Sequence, residues 1–144
     1  MTQTILVPMD YSELSREALR TTLSLHPDAE VVVLHVLDWH ASDMGPGGWG
    51  STPHDWDDWL QEAHEHADGL FDDAREIAAE YDAEITTDTV VGEDARSIVS
   101  YAEEHDVDLI VMGSHGRSVP ARLLLGSVAE TVVRRAPVPV LVVR

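Results

Sequence analysis

Apolar residues along this chain fall into two alternating patterns. Short, nearly unbroken runs occur at Thr4 to Pro8, Glu30 to Leu37, Leu109 to Met112 and Val138 to Val143. Runs this short, rich in Val, Ile and Leu, predict strands buried on both faces of a sheet. Between them, apolar positions recur every three or four residues, as on the inner face of a helix. Leu14, Ala18, Leu19 and Leu23 form one such stripe. Trp59, Ala63, Ala67, Leu70, Ala74, Ile77 and Tyr81 form another, on a helix predicted from about Trp56 to Tyr81. Ile98, Val99 and Ala102 form a third, on a helix opened by Gly92-Glu93-Asp94. Glu84 to Val91 alternates Ile85, Thr87, Thr89 and Val91 with more polar neighbours, the pattern of an edge strand. Ser12 or Asp10 can cap the first helix. Ser127-x-x-Glu130 reads as a capping box that starts the last helix, which runs to about Arg135 with two arginines suiting its dipole. The order is βαβαβαβαβ, which predicts an α/β protein: an open parallel five-stranded sheet, helices on both faces, Rossmann-like.

The segment from about Asp38 to Asp58 breaks both patterns. It holds Gly45, Pro46, Gly47, Gly48, Gly50 and Pro53, with Trp39, Trp49 and Trp56. It is expected to be a long loop, a flap over a site, within a single domain spanning 1–144. Gly45-Pro-Gly47-Gly-Trp-Gly50 matches G-x-G-x-x-G literally. It neither follows a strand nor opens a helix, so the dinucleotide reading is rejected.

Composition narrows the classes. Cysteine is absent, which excludes disulfides and thiolate chemistry. The formal charge is −18, from 27 acidic and 9 basic residues, every basic one an arginine. Such a field repels nucleic acid and anionic membranes, so neither is an expected partner. Acidic excess without lysine suits a halophile's cytoplasm, where salt screens self-repulsion. No apolar run approaches a membrane span, and Met-Thr-Gln-Thr lacks the marks of a signal peptide. The expected location is cytoplasmic. Without lysine a Walker A loop is impossible. His40, His54, His64 and His66 lie near Asp55, Asp57 and Asp58, but their spacing matches no zinc motif, and no metal site is assigned.

The stretch from Asp108 to Val128 carries the candidate chemistry. A strand ends at Gly113, Gly116 follows after two residues, Gly126 after nine more, and Ser127 is next. Glycines let N–H groups face a ligand, and a helix start adds partial positive charge, so the stretch suits a polyphosphate. The alternative is that the glycines only make turns. This spacing resembles the G-2x-G-9x-G-(S/T) motif of the ATP-binding branch of the universal stress protein family. Ile5-Leu-Val-Pro-Met-Asp10, His35-Val36 and Val138-Pro-Val-Leu-Val-Val143 resemble that family's first, second and last strands.

The resemblance implies strand order 3-2-1-4-5. The open-sheet rule then sets the ligand crevice between the first and fourth strands, bringing Asp10 to the Gly113 loop. It also implies that Asp10 bonds the nucleotide, that the backbone at Val36 reads adenine, and that Pro8, Met9 and Met112 line the base. Asp10 can equally serve as a helix cap. Arg117 offers a forked donor to phosphate, or is an ordinary surface arginine. His115 and the hydroxyl of Ser127 can reach phosphate, and Val128 and Ala129 can offer backbone N–H groups. The implied cofactor-binding set is Pro8, Met9, Asp10, Val36, Met112, Gly113, His115, Gly116, Arg117, Gly126, Ser127, Val128 and Ala129. The implied ligand is ATP, with Mg²⁺ carried on its phosphates. The implied assembly is a homodimer paired through Val138 to Val143. Three functions stay open: a regulatory stress-response module that binds adenine nucleotide, a slow ATP hydrolase, and a nucleotide-free interaction protein. No catalytic residue is assigned.

Overall fold

The structure is a computed structural model; it describes residues 2–38, 54–115 and 125–144, with only the backbone of His54 and Asp55. Most of the expected flap, 39–53, with its G-x-G-x-x-G segment and His40, lies outside the described residues, as do Gly116 and Arg117.

Five parallel strands form one sheet: β1 (Thr4–Pro8), β2 (Glu30–Leu37), β3 (Ile85–Val91), β4 (Leu109–Gly113) and β5 (Val140–Val143). Their order is β3-β2-β1-β4-β5. The helices are α1 (Glu13–Leu25), α2 (His54–Glu80), α3 (Asp94–Glu104) and α4 (Ser127–Arg135). Alternation along each strand sends side chains to opposite faces, so there are two cores. On one face Ile5, Val7, Val31 and Val33 pack under α1 and α2, with Trp59, Leu70 and Ala74. On the other, Leu6, Leu34, Ile110 and Met112 pack under α3 and α4, with Ile98, Tyr101 and Val132. Ile5, Leu6 and Val7 of the central strand are fully buried, which explains the unbroken apolar run at the start of the chain.

Several element ends differ from the sequence reading. Helix α2 begins at His54, so the last part of the expected loop, to Asp58, is helical. Tyr81 is exposed rather than core-facing. The helix has ended before it, and Asp82 turns the chain with φ 52°. On α3 the buried positions are Ala95, Ile98, Tyr101 and Ala102, while Val99 is only partly covered. Val91 is exposed at the end of β3, and its neighbour Val90 packs on the second core instead. Strand β5 starts at Val140 rather than Val138. Proline has no N–H for a ladder, and Pro139 contributes only its carbonyl, 3.0 Å from the Ile110 nitrogen.

Candidate functional site

The two inner strands part where the strand order reverses. Pairing of β1 with β4 spans two positions, Ile5 with Leu109 and Leu6 with Ile110. Yet β1 stays paired with β2 through Pro8 and Leu34, and β4 with β5 through Gly113 and Val143. The carboxyl ends of β1 and β4 therefore each follow an outer neighbour. The crevice so opened is where ligands bind in open α/β sheets.

One wall is the end of β1 with β2. The Met9 N–H donates to the Leu34 carbonyl at 2.8 Å, and His35 Nδ1 lies 2.7 Å from the Met9 carbonyl. A carbonyl only accepts, so Nδ1 carries the proton and Nε2 is left as an acceptor. Burial lowers the His35 pKa, outweighing the Met9 carbonyl and Asp10, which favour the charged ring. Tyr11 meets His35 edge to face at 5.5 Å. Asp10 then turns the chain: its Oδ1 accepts from the Ser12 N–H at 2.8 Å, and its carbonyl accepts from Ser15 Oγ at 2.9 Å. Ser12 caps α1, its Oγ accepting the Ser15 N–H at 3.2 Å. The capping role weighed for Asp10 is thus a turn just ahead of the cap.

The other wall is β4 and the start of α4. A Cβ on Gly113 would lie 2.8 Å from the Leu14 Cβ and 3.2 Å from the Leu14 carbonyl carbon, so glycine lets the first turn of α1 cross the strand end. Ser114 is buried; its N–H donates to Val143 at 2.8 Å and its carbonyl accepts from the Gly126 N–H at 2.6 Å. These bonds seat Gly126 beside the end of β4, across the loop between them. His115 Nδ1 lies 3.2 Å from Ser114 Oγ.

The helix cap here is Gly126, not Ser127, which corrects the capping box. The first intrahelical bond runs from the Glu130 N–H to the Gly126 carbonyl at 2.9 Å, which shifts the helix start by one residue. Ser127 is the first helical residue and is exposed. The Glu130 carboxylate is held by Arg134 at 2.8 Å instead of reaching back. Ser127, Val128 and Ala129 carry the N–H groups ahead of that first bond, at the positive end of the dipole.

Met9 and Met112 belong to opposite cores, Met9 under α1 and α2, Met112 with Val36 under α3 and α4. All three are buried. The side chains of Met9 and Met112, expected with Pro8 to line one side of a base pocket, thus lie on opposite faces of the sheet. Pro8, partly covered, lies between them at the end of β1.

Sequence reasoning missed the acidic residues gathered along the carboxyl edge of β1, β2 and β3. The N-terminus of α3 stands at the same sheet edge, and the Asp94 N–H lies 3.3 Å from Asp38 Oδ2. Asp94 is pushed up to about 6, by burial first, then by the charges of Asp38, Asp10 and Glu93. Its place after the third strand, at the carboxyl edge, is the signal that marks it. Among the described residues no group of three or more histidines and carboxylates is arranged to hold a metal ion.

An open parallel sheet with a glycine-flanked crevice at its reversal point defines a class of ligand-binding α/β domains. Residues 1–144 match the family described as "Universal stress protein family", and the chain belongs to it. Universal stress protein MJ0531 of Methanocaldococcus jannaschii is 35% identical over 142 residues, 97% of this chain and 81% of that one. The solved structure of MJ0577 from the same organism has a TM-score of 0.80 at 31% identity, over 99% of this chain and 96% of that one. A universal stress protein solved in complex with cAMP has a TM-score of 0.71 at 26% identity, over 99% of this chain and 97% of that one.

Proposed function

We propose that this chain is a cytoplasmic, ATP-binding regulatory module that works as a homodimer in a stress response. The observation that carries the reading is the parting of β1 and β4 beside the N-terminus of α4. The adenine sits across the ends of β1, β2 and β4, against Pro8, Met9, Val36 and Met112, with Asp10 at the sugar. The phosphates lie toward Gly113, His115, Gly116, Arg117 and Gly126, and toward Ser127, Val128 and Ala129 of α4. Amides and a helix start hold phosphate without lysine, in keeping with a chain that has none. Mg²⁺ travels on the phosphates and needs no cage of protein ligands. The cAMP complex of a similar protein supports an adenine nucleotide in this class of crevice. Pairing through β5 is supported by its position at the sheet edge and by Leu141, which is 37% exposed there.

The test is calorimetric titration with ATP, beside native mass spectrometry of the purified protein. Binding, or a co-purified adenine nucleotide, is the expected result. Ser127→Glu separates site from fold: a carboxylate at an exposed helix start stabilises the helix slightly, yet repels phosphate. Its melting temperature is expected to hold or rise while ATP affinity falls tenfold or more. No heat, no thermal shift and no bound nucleotide in the wild type would overturn the reading. For the assembly, Leu141→Asp is expected to turn dimer into monomer in sedimentation velocity.

A further inference from the structure

Asp10 sits in a turn held on several sides. Ahead of it, the Met9 N–H donates to the Leu34 carbonyl at 2.8 Å. Its own carbonyl accepts from Ser15 Oγ at 2.9 Å, and its Oδ1 accepts from the Ser12 N–H at 2.8 Å. Among the described residues, Oδ2 takes no hydrogen bond. The turn lies beside the parting of β1 and β4, because Leu14 in the next helical turn comes up against Gly113 at the end of β4. Two further contacts come from a single side chain, His35 on β2. Its Nδ1 donates to the Met9 carbonyl at 2.7 Å, and its ring meets Tyr11 edge to face with centroids 5.5 Å apart. One imidazole thus touches the residue before Asp10 and the residue after it.

We propose that His35 is a positioning residue for the nucleotide site: it braces the turn between β1 and α1 so that Asp10 offers its free carboxylate oxygen to a sugar hydroxyl, which gives the crevice a preference for nucleotides with an intact ribose. The inference rests on the nucleotide reading above and assigns the sugar selectivity of that site to a residue behind it.

The pairing of β1 with β2 ends at Pro8 and Leu34, so the backbone beyond Met9 has no ladder to fix it. Met9 is buried, and a buried carbonyl needs a donor. His35 supplies that donor from the neighbouring strand. Burial keeps the ring from charging, so the brace adds no cation to compete with a sugar for Asp10. A hydroxyl that donates to a carboxylate makes a charge-assisted bond. A nucleotide without that hydroxyl strips water from Asp10 and returns nothing. The discrimination is largest when the acceptor is already in place, because no binding energy goes into ordering it.

The experiment is calorimetric titration with ATP and with 2′,3′-dideoxy-ATP, on the wild type, His35→Leu and His35→Asn. The asparagine amide nitrogen stands where Nδ1 does and keeps the donor; leucine has none. The wild type is expected to prefer ATP by about tenfold or more, the worth of one hydrogen bond to a charged group. In His35→Leu, ATP should bind about tenfold more weakly while dideoxy-ATP changes by less than about twofold, so the preference collapses. His35→Asn should restore most of it. A role confined to stability would weaken both nucleotides alike. Equal weakening of both, or an undiminished preference for ATP in His35→Leu, would overturn the positioning role and leave the nucleotide reading intact. A wild type that binds the two nucleotides equally would overturn the sugar contact, and this inference with it. Binding of neither nucleotide by the wild type would overturn the nucleotide reading itself. Long-range proton–nitrogen NMR on the wild type keeps the test open if His35→Leu folds poorly. A protonated Nδ1 beside a bare Nε2 is expected, with and without ATP, and the opposite tautomer would overturn the brace.

Discussion

Gly113→Ala tests the joint on which the crevice depends. The added methyl would stand 2.8 Å from the Leu14 Cβ, 3.2 Å from its carbonyl carbon and 3.4 Å from its carbonyl oxygen. Carbon atoms in comfortable contact sit at roughly 3.5–4.0 Å. Something must therefore move by up to about 1 Å. Leu14 is the second residue of α1, and none of the three atoms is the free end of a flexible side chain. The start of the helix has to lift, and the Ser12 cap and the Asp10 turn go with it. Overpacking of this kind costs roughly 1–3 kcal/mol. Alanine recovers part of this, because glycine weakens a strand by roughly 0.5–1 kcal/mol. A net loss of about 1–2 kcal/mol remains. With an unfolding entropy of roughly 2.1 cal/mol/K per residue, a chain of 144 residues should melt about 3–7 °C lower. Differential scanning calorimetry and urea unfolding measure it, and ATP titration should show weaker binding alongside. An unchanged or higher melting temperature would refute the close-approach argument for this glycine.

The remaining predictions use the same measurements. Gly69 lies within α2, and a Cβ there would meet nothing within 4 Å; Gly69→Ala should stabilise by about 0.5–1 kcal/mol, so a loss on urea unfolding would contradict the open space. Ser12→Ala removes the acceptor for the Ser15 N–H and should lower stability by about 1 kcal/mol, as read by the same unfolding curves. Asp94 has its folded pKa raised from 3.8 to about 6, so the folded state holds the extra proton between those values and stability falls as pH climbs through them. Asp94→Asn should then be more stable than the wild type by about 2 kcal/mol at neutral pH, with the gap closing below about pH 4; a gap that stayed constant with pH would refute the assignment. A net charge of −18 predicts that molar KCl raises the melting temperature by screening self-repulsion, and an equal melting point at low and high salt would count against it.

The strand and helix order was legible because burial is written locally. A strand covered on both faces must be apolar at every position, and Ile5 to Val7 and Val31 to Leu34 read so directly. A helix covered on one side must repeat every three or four residues, and Trp59, Ala67, Leu70, Ala74 and Ile77 do. The Gly113 and Gly126 turns were visible because a close backbone approach leaves glycine as the trace. Tertiary structure decided what depends on contacts between distant segments. Gly126 rather than Ser127 caps α4 because its N–H is drawn to the Ser114 carbonyl, a bond no local pattern announces. Met9 and Met112 look alike in sequence yet serve opposite cores, since the pleat sends them to different faces. Asp10, Asp38 and Asp94 each read as a polar residue at the end of an element. Only the parallel sheet, which brings the carboxyl ends of β1, β2 and β3 to one edge, makes them neighbours whose charges oppose one another.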